Sequence, residues 1–142
     1  MKMGTAEFCL CLYFTSAALA RKVEKLAVES WKPVNLSPSH GYLLLAVLEE
    51  PGLQPTVLGG LLQLQPSTIT RFIQKLEEKK LVIRTVDGRI TNVYPTPKAK
   101  ELQPKMQTCM EQFYERYSAV LGKEESERLV QSMTKVAAKL KE

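Results

Sequence analysis

One stretch constrains this chain more than any other, Gln65 to Thr96. Within it Ile69, Phe72, Ile73 and Leu76 recur at spacings of three and four, the period of one helix face. The opposite face carries Ser67, Thr68, Thr70, Arg71, Gln74 and Lys75, with no acid before Glu77. Pro66, next to Gln65, marks the turn that leads into the helix. A helix with one apolar face and one face of hydroxyls, amide and cations has the make-up of a helix that enters the DNA major groove. Two β-rich runs follow, Leu81 to Thr85 and Ile90 to Tyr94, around Val86-Asp87-Gly88-Arg89. Asp-Gly between such runs predicts a hairpin. A recognition helix followed at once by a hairpin with a basic tip predicts a winged helix-turn-helix.

Charge supports the same surface. The chain of 142 residues has a net charge of +5. Residues 66–105 hold nine Lys/Arg and four acids, so the whole excess lies there, and the remainder is neutral. Such a concentration suits a phosphate-facing surface; the alternative is a solvated basic face.

The length predicts one domain, and 44% hydrophobic residues suffice for a core. Lys2, the apolar run after it and Ala18-Leu19-Ala20 resemble a signal peptide. Glu7 abuts that run, however, and the helical register continues past the would-be cleavage point. No stretch reaches the ~20 apolar residues of a membrane span, so a cytoplasmic protein without membrane contact is expected. Three cysteines (Cys9, Cys11, Cys109) and one histidine make neither a disulfide framework nor a metal-ligand set. No glycine-rich phosphate loop is present and His40 has no evident catalytic partner by spacing, so no cofactor, metal or enzymatic activity is expected.

Around the central stretch the chain reads as helices. Ala6 to about Ser30 is a long helix with Phe8, Leu12, Leu19, Val23 and Leu26 in a stripe, ended by Trp31-Lys32-Pro33. Ser37-Pro38 caps and starts a second helix to about Glu50, apolar on most sides. Pro55 opens a short third helix to about Leu64, with Val57, Leu58, Leu61 and Leu62 inward. Gly59-Gly60 inside it costs about 1 kcal/mol per glycine against alanine and implies close backbone packing. Helix, tight turn and helix make a helix-turn-helix. Thr96-Pro97 starts a helix to about Leu121, with Pro104 as a kink or its true start. Gly122 stops it, and Lys123 to Lys141 is a last helix with Leu129, Val130, Met133, Val136, Ala137 and Leu140 on one side. The fold class is therefore mainly α with a small β wing. A winged helix-turn-helix core, residues 36–96, lies between dimerisation helices in 6–31 and 97–141. A second copy would cover the long amphipathic helices and set two recognition helices about 34 Å apart on a pseudo-palindromic site.

The chain resembles the MarR family of bacterial winged-helix regulators over residues 6–140. The carriers are Leu36-Ser37-Pro38-Ser39-His40, Leu58 to Leu64, Ser67 to Val82, Asp87-Gly88-Arg89 and Tyr94-Pro95-Thr96. It departs from the family at Gly59-Gly60, where Ala and a polar residue are usual, and at Lys80, where Gly is usual; its hairpin is short. The resemblance implies a homodimeric repressor of transcription that binds double-stranded DNA and is released by a small-molecule effector or an oxidant. Carried over, Ser67, Thr68, Thr70 and Arg71 face bases and phosphates, Arg89 is the wing-tip arginine, and Asp87 braces the wing. Gln74, Lys75 and Arg84 extend that surface. Arginine reads guanine bidentately, and hydroxyls and Lys75 hold phosphates. The alternatives are helix capping for Ser67 and Thr68, a plain hairpin-tip charge for Arg89, and solvation for Arg84 and Lys79.

Cys9 to Ser16 also resembles the first helix of the organic hydroperoxide resistance regulators (OhrR), where a peroxide-reactive cysteine precedes a tyrosine by four residues. This implies a redox pair of Cys9 and Tyr13, one helical turn apart. Val23 and Pro38 stand where further tyrosines of that group belong, and the alternative is that Cys9 and Cys11 are packed at a dimer seam. Outside the regulator class, the same features suit a winged helix that contacts protein and has no operator.

Overall fold

The computed structural model describes residues 11–140. Its elements run α1 (Leu12–Trp31), a 3-10 turn (Lys32–Val34), α2 (Pro38–Glu49), α3 (Pro55–Leu62) and α4 (Pro66–Glu78). Then come β1 (Val82–Asp87), β2 (Ile90–Pro95), α5 (Pro97–Leu121) and α6 (Lys123–Lys139). The chain divides into two compact units. One is Ala27–Cys109; the other joins residues 11–26 with residues 110–140. The first unit extends past residues 36–96 at both ends.

Local chemistry sets the boundaries within Ala27–Cys109. Pro33 falls in the 3-10 turn after α1, and Asn35 reverses the chain at φ 54°. Ser37 Oγ accepts the His40 backbone N–H at 3.3 Å, capping α2 as its Ser-Pro start predicts. No residue of α2 from Tyr42 to Leu48 is exposed, and Leu43, Leu44 and Val47 are fully buried. Trp31 is also fully buried, and it lies so close to Gly41 that a Cβ there would be 2.7 Å from its Cε3 and Cη2.

Helix α3 departs from expectation. Leu58 is fully buried, but Val57 and Leu61 are 44% and 61% exposed. The eight-residue helix is apolar on nearly every side, so its composition alone carries no direction. The glycine pair also divides. A Cβ on Gly59 would press on Leu64 O at 3.3 Å and Ile69 Cγ1 at 3.6 Å, whereas Gly60 faces open space. Gly59 therefore serves the expected close approach, and nothing in the structure explains Gly60.

The sheet is an antiparallel pair, with Val82 opposite Pro95 and Asp87 opposite Ile90. The loop is thus Gly88-Arg89, one residue later than an Asp-Gly centre would put it. Gly88 has φ 63°, and glycine in the first of two loop positions is the pattern of a type II′ hairpin. Leu53 adds a bridge to Val93: Gly52 N–H donates to Val93 O at 2.8 Å and Val93 N–H to Leu53 O at 3.0 Å. The Pro51-Gly52 stop signal therefore also brings the chain onto the sheet. Thr96 Oγ1 accepts Ala99 N–H at 3.3 Å and donates to Lys80 O at 2.7 Å, so one hydroxyl caps α5 and ties it to the end of α4. Helix α5 continues through Pro104.

In the other unit the apolar side of α6 is open. Val130, Met133 and Val136 are each 44–49% exposed, and Leu140 is 67% exposed. Leu12, Tyr13 and Phe14 of α1 are exposed as well. Phe113 and Tyr114 of α5 both pack edge-on to Tyr117, at 5.1 and 5.4 Å between ring centres. Among the described residues no helix is long and apolar enough to cross a membrane, and no cluster of His, Cys, Asp or Glu is placed to hold a metal.

Candidate nucleic-acid interface

Helices α3 and α4 are joined by a three-residue turn. Gln63 takes a left-handed conformation (φ 56°) and its Nε2 donates to Gly60 O at 2.9 Å, while Leu64 N–H donates to Gly59 O at 3.1 Å. Pro66 then starts α4 behind an extended Gln65 that makes no side-chain cap. Ser67 and Thr68 therefore stand inside the first turn and are not its N-cap.

Ile69, Ile73 and Leu76 anchor α4 in the core. Pro66, Ser67, Thr70, Arg71, Gln74 and Lys75 are exposed, and Thr68 is half-buried. At 100° per residue the six exposed side chains share one half of the helix. Thr70 Oγ1 donates back to Pro66 O at 3.0 Å, and Arg71 Nη2 donates to Thr68 Oγ1 at 3.4 Å. Lys75 lies 3.8 Å from Glu78, with both side chains well exposed, so the pair leaves the cation largely available.

The two flanks of α4 are held differently. On one, Glu77 Oε1 receives Arg84 Nε at 2.9 Å, which ties β1 to the helix. Arg84 is thus engaged within the chain. Asp87 ends β1 opposite Ile90 and Arg89 stands at the tip; among the described residues neither has an ion-pair partner. Ile83, Val86 and Ile90 of the hairpin are exposed.

On the other flank Phe72 carries the ring of His40, with centres 4.2 Å apart and planes tilted by 33°. His40 Nδ1 is bonded to the Ser37 hydroxyl. Burial, then Lys79, then Lys75 hold the His40 pKa below its ordinary value of 6.5. Lys79 is fixed by donating to Asn35 O at 3.0 Å, and Lys98 Nζ donates to Lys79 O at 3.0 Å. The placing of His40 at this surface, with Ser37 as partner, is what sequence spacing missed; the signal was the three-residue interval in Ser37-Pro38-Ser39-His40 at a helix start.

Cys9 lies outside the described residues. Tyr13 is 72% exposed and meets Phe14 edge-on at 5.3 Å. Cys11 and Cys109 are free thiols, and burial raises the pKa of Cys109.

A helix-turn-helix closed by a two-stranded hairpin, with a polar, cationic helix face between them, defines a winged helix-turn-helix protein. The MarR family model matches residues 34–89, so this stretch is similar to that family. No curated protein matches the chain by sequence. Among solved structures, the transcriptional repressor CouR bound to p-coumaroyl-CoA aligns with a TM-score of 0.85 at 19% identity, over 96% of this chain and 98% of that one. CouR bound to a 23-mer DNA duplex gives 0.85 at 18% identity, over 96% and 99%. The S. aureus MepR–DNA complex gives 0.80 at 20% identity, over 92% and 98%. At these identities the likeness shows a shared fold over nearly the whole chain.

Proposed function

We propose that the chain is a homodimeric, sequence-specific DNA-binding regulator of transcription, acting in the cytoplasm as a repressor that a small effector releases. The observation that carries this is the half of α4 that presents Ser67, Thr70, Arg71, Gln74 and Lys75 together, rooted by Ile69, Ile73 and Leu76. Thr68 supports Arg71 from within the first turn. Arg71 is the base reader; Ser67, Thr70, Gln74 and Lys75 set register on the phosphates, with Pro66 fixing the entry of the helix. Arg89 reaches from the hairpin tip, next to the end of β1 at Asp87, while Arg84 positions the hairpin through Glu77. The DNA-bound forms of CouR and MepR support the docking, and the p-coumaroyl-CoA form of CouR supports an effector. A catalytic role is not part of this reading, since the single histidine is occupied in capping and stacking. Cys9 and Tyr13 belong to it as a candidate oxidant-sensing pair, for which loss of peroxide-driven DNA release in Cys9→Ser is the test.

The exposed Ile83, Val86 and Ile90 favour a second reading, in which the hairpin docks on another protein. Salt separates the two. Binding to a duplex from the chain's own upstream region, followed by fluorescence anisotropy, is expected to weaken by about 10³-fold or more between 50 and 200 mM salt if six or more phosphates are held. A flat salt response, or no binding at low salt, would reject the DNA reading.

A further inference from the structure

His40 is the only histidine in the chain, and its surroundings are cationic from one side only. From α4 and its end, Lys75 and Lys79 face it. Of the acids of α4, Glu77 pairs with Arg84 on the opposite flank, and Glu78 reaches only the exposed Lys75, at 3.8 Å. Arg71 turns to Thr68. Helix α3 carries no ionisable residue, and the one titratable group of β2, Tyr94, lies against Gly52. The ring is half-buried between Phe72 and the Ser37 cap. In the free chain both burial and the two lysines oppose its protonation.

A DNA backbone reverses the balance. Phosphates drawn to Lys75 neutralise the charge that repels a proton from the ring, and they favour a further cation beside them. We propose that His40 takes up a proton from solvent when DNA binds, and so acts beside Lys75 as a phosphate-facing cation on the flank of α4 opposite the hairpin. The neutral imidazole becomes an imidazolium whose two N–H groups both donate, one retained by Ser37 and the other turned to DNA. The inference rests on the DNA-binding reading above. By linkage, DNA binding then strengthens as pH falls through the histidine range, and DNA raises the proton affinity of His40 by the same factor.

Because the chain has one histidine, its ring C–H resonance reports His40 directly. The titration is followed by NMR on the wild-type protein, free, with a duplex from its own upstream region, and with a random duplex of equal length. The midpoint is expected to move upward on DNA, and the dissociation constant to fall several-fold between about pH 7.5 and about pH 5.5 at fixed salt. His40→Gln is expected to retain salt-dependent binding at the upper pH and to lose the slope below it. A midpoint that DNA leaves unchanged or lowers, or a His40→Gln variant with the wild-type slope, overturns the proposal while salt-dependent binding keeps the DNA reading intact. Absence of salt-dependent binding at every pH overturns both.

Discussion

At Gly41 a single missing carbon decides how the indole of Trp31 is housed. The ring is fully buried and has nowhere to retreat, so Gly41→Ala forces side chain or backbone aside. A destabilisation near the upper end of about 1–3 kcal/mol is expected, read as a lowered denaturant midpoint, and Trp31→Phe in the same chain should recover part of it. Lys80 makes the complementary case. It follows α4 at φ 62°, with its own N–H on Glu77 O and that of Leu81 on Leu76 O, both at 2.9 Å. A left-handed residue with a Cβ is strained by roughly 1 kcal/mol. Lys80→Gly is therefore expected to raise the melting temperature and Lys80→Val to lower it; the reverse order would exclude backbone strain as the cause. His40 gives stability its pH dependence. Its folded pKa lies below 6.5, so the unfolded chain binds the proton more readily. That contribution is whole above about pH 6.5 and is lost as pH falls below it, until the folded ring is protonated too. Urea midpoints between pH 7.5 and 5.5 should decline in wild type and stay level, by comparison, in His40→Gln.

Among the elements, α4 is the most legible and α3 the least. Apolar residues at three- and four-residue spacing announce which side of α4 is buried, and the same pattern leaves Arg71 and Lys75 outside. Arg71→Ala is expected to cost about 1–3 kcal/mol of specific binding and to relax preference at one base pair. Arg89→Ala should weaken all sequences alike; competition assays with single-base operator variants distinguish the two patterns. The caps were equally readable, since Ser37-Pro38 and Thr96-Pro97 carry their chemistry locally. What could not be read depends on partners far along the chain. Leu53 finds Val93 and Lys79 finds Asn35 across the fold, and even the nearer pair of Arg84 and Glu77 forms only once β1 turns back on α4. The outward turn of Val57 and Leu61 is set by where α2 and α4 lie, because a short helix apolar on nearly every side has no period of its own. The loop falls within the expected Val86 to Arg89, and its exact centre is a matter of pairing. Both Asp-Gly and Gly-Arg can occupy a two-residue loop, and the observed register, with Asp87 opposite Ile90, uses the second.

For the molecule as a whole, the open side of α6 is the feature that a single copy leaves unresolved. Val130, Met133, Val136 and Leu140 recur every three or four residues, which is the spacing of a buried seam, yet each is 44–67% exposed. A run of this kind on water is costly in apolar exposure, and a second copy of the chain is the proposed cover. The idea separates folding from assembly. Val136→Glu changes a side chain that the single chain leaves in solvent, so the fold of one copy should survive, with helical content and the buried environment of Trp31 unchanged. In a dimer the same carboxylate would be buried without a partner on both sides of the seam, at a cost of several kcal/mol. Light scattering is expected to give two chains for wild type and one for Val136→Glu. DNA affinity should fall with the mass, because two linked reading helices act at a raised effective concentration and separate ones do not. A wild-type mass of one chain would remove the dimer, and a Val136→Glu dimer would move the seam away from α6.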